Sequence, residues 1–96
     1  MKYFHRTSVD PDAVMAKAAE YFGQRLGSVR SEARTAAWKG AIGALSVHVM
    51  KEGGHYTLVT VETDQVGESE IDKLGKRFLT LVHTLAEPTH RPIGAY

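Results

Sequence analysis

Hydrophobic positions along this 96-residue chain repeat with two different periods. From Glu68 to Ala86, the residues Ile71, Leu74, Phe78, Leu81, Val82 and Leu85 recur at spacings of three and four. That spacing predicts a helix with one continuous apolar stripe. Lys73, Lys76 and Arg77 fall off the stripe. From Ala41 to Lys51 the period is two, with Leu45, Val47 and Val49 on one side and Ser46, His48 and Met50 on the other. This is the pattern of a half-buried strand. Tyr56 to Thr63 repeats it with Val59 and Val61.

Tyr3 to Val9 alternates aromatic and β-branched residues with polar ones and predicts a first strand. Asp10-Pro11-Asp12 then opens a helix. Asp10 is a good N-cap, Pro11 suits the first helical position, and Asp12 favours the positive helix start. The helix is expected to run to about Leu26, with Val14, Ala18 and Phe22 on a face shared with Met15, Ala19 and Leu26, and Gly27 as its stop. Ser28 to Trp38 reads as one strand, in which Arg30, Glu32 and Arg34 alternate with smaller residues. Lys39-Gly40 and Glu52-Gly53-Gly54 read as turns. A loop over Glu52 to Gly54 pairs Val47 with Val59 and Leu45 with Val61, which gathers the valines on one face.

The predicted order is β-α-β-β-β-α. It describes a two-layer α+β domain, an antiparallel sheet covered by a long C-terminal helix. Residues 1–96 form a single domain, with 87–96 an irregular tail containing Pro88, Pro92 and Gly94. The first strand is expected at a sheet edge or against another chain.

Composition narrows the chemistry. The chain is 43% hydrophobic and 24% charged, as ordinary globular domains are. Its net charge of +1 gives no argument for nucleic acid. With no cysteine, thiolate metal sites, disulfides and cysteine nucleophiles are excluded. The first residues have no apolar signal-peptide core and no stretch is long enough to span a bilayer, so a cytoplasmic protein is expected.

His5, His48, His55, His83 and His90 are spread over separate elements with no helical pair at metal-ligand spacing, so no metal site and no cofactor are expected. His5 and His48 could meet only if their strands were neighbours. Glu62, Asp64, Glu68, Glu70 and Asp72 cluster at the start of the last helix, where the helix dipole accounts for them, and Ser69 with Asp72 resembles a capping pair. No nucleophile elbow or phosphate loop occurs, and no catalytic residue is assigned. Ala33, Ala36, Ala37, Ala41, Gly43 and Ala44 form a run of small residues. It reads as close helix-on-sheet packing, as the approach of a second subunit, or as a cavity mouth floored by small residues and flanked by Trp38, Tyr56 and Met50.

Phe4-His5-Arg6-Thr7-Ser8-Val9 leading into Asp10-Pro11-Asp12-Ala13-Val14, together with the long amphipathic helix at Glu68 to Ala86, resembles the START/Bet v 1/polyketide-cyclase (SRPBCC) superfamily in a shortened form. Full members have more strands, and the missing ones roof the cavity. The resemblance implies a helix-grip fold that binds apolar or aromatic molecules between sheet and last helix. The expected function is therefore a non-enzymatic domain holding an apolar small molecule there, lined by Leu45, Val47, Val59, Phe78 and Val82. A second reading is a self-associating interaction module. Its open sheet face would carry His48, Met50, Tyr56 and Leu58 and would form a homodimer through that face or a strand edge. A cyclase or isomerase, by family analogy alone, is the third.

Overall fold

Five strands form one antiparallel sheet in the order β1-β5-β4-β3-β2, from the chain elements β1 (Lys2–Thr7), β2 (Gly27–Ser31), β3 (Thr35–Gly40), β4 (Gly43–Glu52) and β5 (Tyr56–Thr63). The computed structural model describes residues 1–86; the tail expected to be irregular lies outside the described residues. Helix α1 (Pro11–Gly23) links β1 to β2, and α2 (Glu70–Ala86) follows β5. The α+β class and the sheet covered by a C-terminal helix are as the sequence reads.

The first strand takes an edge, pairing with β5 from Lys2↔Glu62 to Thr7↔Thr57. The segment read as one strand from Ser28 to Trp38 is instead a hairpin. It turns at Glu32-Ala33-Arg34, closed by Glu32 N–H donating to the Thr35 carbonyl at 2.8 Å. No glycine or proline marks that turn, so unbroken alternation concealed it. Lys39-Gly40 belongs to β3, and the tight turn falls at Ala41-Ile42, between the paired Gly40 and Gly43. The β4–β5 loop is one position later than expected, at Gly53-Gly54-His55. Val47 therefore faces Val61, and Leu45 faces Thr63. The shift is by two along the strand, so the valines keep their common face.

Helix α1 starts as its sequence demands, with the Asp10 side chain accepting from Asp12 N–H at 3.1 Å and Pro11 in the first turn. It ends at Gly23, earlier than expected. Leu26 N–H donates back to the Phe22 carbonyl at 2.7 Å, which keeps Leu26 buried in the connection to β2.

Both helices lie on one sheet face. Helix α1 packs on β2, β3 and β4, and α2 on β1, β5 and β4. Between them Phe22 sits against Trp38 and Phe78, each pair of ring centroids 5.0 Å apart. Gly75 marks a close approach of α2 to the sheet: a Cβ there would lie 2.9 Å from Val61 Cγ1. On α2, Ile71, Leu74, Phe78 and Val82 are buried, while Leu85 at the end of the expected stripe is 41% exposed.

Candidate functional site

Helix α1 and strand β2 face each other with small side chains. Ala16, Ala19 and Gly23 line the helix side, and Ser28, Ser31 and Ala33 the sheet side. Too little volume is present to fill the gap, and all five residues of β2 are exposed. The result is a cleft of about 360 Å³ floored by Ala36 and Trp38. Small apolar walls with a few polar groups, at the lower end of ligand-site volumes, are what a small-molecule site requires.

Polar groups stand at the rim. Arg30 is ion-paired with Glu32 there. Arg34 reaches back from the β2–β3 turn to Asp12 at 2.5 Å, fastening the turn to the start of α1. A register shift between Ser28 and Arg30 leaves Val29 unpaired in β2, and its side chain is 64% exposed. The bulge puts Ser28 and Ser31 opposite Trp38 and Ala36. Ser28 and Ser31 thus share the inner face with Trp38 and Ala36, and Arg30 borders the cleft at its rim.

The five residues expected to line a ligand site belong to the core cluster. Val47, Val59, Phe78 and Val82 have no exposed surface, and Leu45 has 2%. They are packed with Phe22, Val61 and Ile71 between the sheet and both helices. Leu45 also borders a groove on the opposite sheet face. The run of small residues divides between the two faces. Ala33 and Ala36 serve the α1–β2 cleft, whereas Ala37 and Ala44 line a trough of about 350 Å³ on the helix-free face with Ser46, Glu62 and Asp64. Tyr56 and Met50, expected beside Trp38, stand at the far end of that helix-free face.

The histidines separate. His5 points to the helix side and His48 to the open face, and β5 lies between their strands. His5 instead meets His83 of α2, with ring centroids 6.0 Å apart at 76°, beside a groove of about 220 Å³ shared with Leu79 and Thr80. His5 Nε2 is buried without a hydrogen-bond partner among the described residues. Burial, and then the neighbouring His83, hold the His5 pKa below its ordinary value. No group of three metal-ligating side chains converges among the described residues.

Sequence reasoning missed one buried carboxylate. Asp72 is fully buried, accepts from Tyr3 O–H at 2.6 Å and from Glu68 N–H at 3.3 Å, and lies 3.3 Å from Lys76 Nζ. Asp72 N–H donates to Ser69 Oγ at 3.2 Å, so the capping pair read from the sequence is present. The Tyr3 hydroxyl, aided by Glu68 N–H and Lys76, holds the Asp72 pKa below the usual carboxylate range, while the same hydrogen bond raises that of Tyr3. Every partner stabilises the ionised acid, which suits a structural knot and not a proton-transfer group. On the open face, Thr35 Oγ1 lies 2.8 Å from His48 Nδ1, and no carboxylate orients that imidazole among the described residues.

Comparison with protein-family models finds no match, and none is found among curated proteins. No helix among the described residues is long and apolar enough to cross a membrane.

Proposed function

We propose that this domain is a non-enzymatic binder of a small apolar molecule and that the molecule lodges in the α1–β2 cleft. The observation that carries the reading is the cleft itself. About 360 Å³ lies above Trp38 between a helix and an edge strand lined mainly by alanine, glycine and serine, with Met15 on the helix side and the Arg30–Glu32 pair at the rim. An apolar ring with one polar edge suits it, the ring against Ala19 and Ala36 and the edge toward Ser28 and Arg30. The SRPBCC resemblance supports the class of ligand. The first strand beside the last, and a terminal helix across the same sheet, fit a shortened helix-grip arrangement. The ligand position differs from the one the resemblance implies, because the space under α2 is occupied by Val47, Val59, Phe78 and Val82.

The dye anilinonaphthalene sulfonate, an apolar ring system with one anionic edge, is the probe. It should bind the native domain at one site per chain. Ala19→Trp, an exposed helix position that fills the cleft, should abolish binding and leave the melting temperature near that of the parent. Dye that binds only as the protein unfolds, or that binds Ala19→Trp undiminished, overturns the reading.

A further inference from the structure

The helix-free face of the sheet is uneven along its strands. At one end it carries a raised apolar cluster. Met50 faces Leu58 across β4 and β5, Phe4 stands diagonally beyond on β1, and Tyr56 follows on β5. Phe4, Met50 and Tyr56 are 61%, 48% and 54% exposed. At the other end lies the trough of about 350 Å³ over Ala37, Ala44 and Ser46. Four residues of β5, from Leu58 to Glu62, separate the two features, a distance of about 13 Å. The row of Thr60 and His48, which Phe4 joins on β1, lies between Leu58 and Glu62.

We propose that two copies associate through this face, each placing its Phe4–Met50–Leu58 cluster in the partner's trough. A two-fold axis lying in the interface plane near Thr60 brings knob over trough twice, the isologous arrangement that closes as a dimer. Charge agrees with the pairing. Arg6, 61% exposed beside the knob and ion-paired to Glu52 of its own chain, comes to the rim of the partner's trough, where Glu62, ion-paired to Lys2, is 57% exposed, so opposite signs meet at the seam on top of the pairs each chain already makes. Five strands of 5 to 10 residues, about 4.8 Å apart with about 3.3 Å per residue, give a face of about 550 Å² in projection. Side-chain relief brings the accessible area toward the roughly 800 Å² per partner of a stable interface. Phe4, Met50 and Leu58 at one end, with Val29, Ala37 and Ala44 lining the trough at the other, give the face two apolar regions separated by threonine, histidine and ion pairs, and the first forms a localised anchor, as interface hot spots do.

Sedimentation equilibrium over a micromolar concentration series tests this. The expected mass is twice the 10.6 kDa of the chain. Met50→Lys removes the knob, and Ala37→Trp fills the trough. Each should weaken self-association at least tenfold, with the circular dichroism spectrum and melting of a folded domain retained. An equimolar mixture of the two variants should recover dimer, because one knob and one trough stay intact in the mixed pair. A single-chain mass at every concentration overturns the proposal and leaves the face to a different protein. A dimer that both variants leave unchanged also overturns it, and points to strand-edge pairing instead.

Discussion

Tyr3 donates its hydroxyl to Asp72 at 2.6 Å, a contact between residues 69 positions apart that fastens the edge strand β1 to the first turn of α2. Strand β1 has a single sheet neighbour, β5. Its inner face must therefore be held from above. Lys76 completes the arrangement, 3.3 Å from Asp72 and with its ammonium over the Tyr3 ring, 5.3 Å from the centroid.

This knot predicts acid sensitivity. The folded Asp72 carboxyl titrates below its unfolded value. Its contribution to stability is therefore complete above the unfolded pKa of about 3.9 and is lost as pH falls through the lower folded pKa. Asp72→Asn should flatten the fall in urea midpoint between pH 5 and pH 2. Tyr3→Phe should lower the melting temperature at pH 7. An unaltered acid profile in Asp72→Asn would place the titrating group elsewhere.

The same contact changes which α2 substitutions are informative. Phe78 is fully buried between Phe22 and Tyr21, so Phe78→Ala should cost about 3–5 kcal/mol in denaturant titration. Lys73, exposed, should tolerate Ala within about 0.5 kcal/mol. Lys76 is no neutral control, although the sequence puts it off the apolar stripe, because it neutralises a buried carboxylate. Comparable losses at Phe78 and Lys73 would mean that α2 presents a different face.

What the sequence conveyed, and what it withheld, follows from the range of each signal. The apolar stripe of α2, the Asp10-Pro11 start of α1 and the valine alternation of β4 and β5 are local patterns, and each appears where it was read. The turn at Glu32-Ala33-Arg34 left no mark, because its residues continue a strand-like alternation; the cleft beneath it was hidden for the same reason. Small residues at Ala33, Ala36, Ala37 and Ala44 were visible, but which face each serves depends on the split into two strands. Asp72 read as one more acid at a helix start, since a Tyr3 partner so distant in sequence gives no local signal.

Gly75 offers a test of the packing that local propensity contradicts. Alanine is the better helix former by about 1 kcal/mol. Here its Cβ would meet Val61 Cγ1 at 2.9 Å and Leu45 Cδ1 at 3.3 Å. Both belong to sheet residues already buried in the core, so α2 must lift or the strands must shift. Gly75→Ala should therefore destabilise the domain by about 1–3 kcal/mol in urea titration. A stabilised variant would show that α2 stands further from the sheet.

His5 gives the last expectation, at a milder pH. Its ring lies between β1 and α2 against His83, with Nε2 buried. Burial and the second imidazole both oppose a positive charge there, so the folded pKa lies below the ordinary value of about 6.5. A depressed histidine pKa means that the unfolded chain takes up the proton first. The stabilisation is present above about pH 6.5 and is lost as pH falls toward the lower folded pKa. The urea midpoint should therefore drop between pH 7.5 and pH 5.5. His5→Phe, which keeps the ring volume and removes the titrating nitrogen, should remove most of that drop. The same slope in the variant and the parent would assign the effect to another histidine.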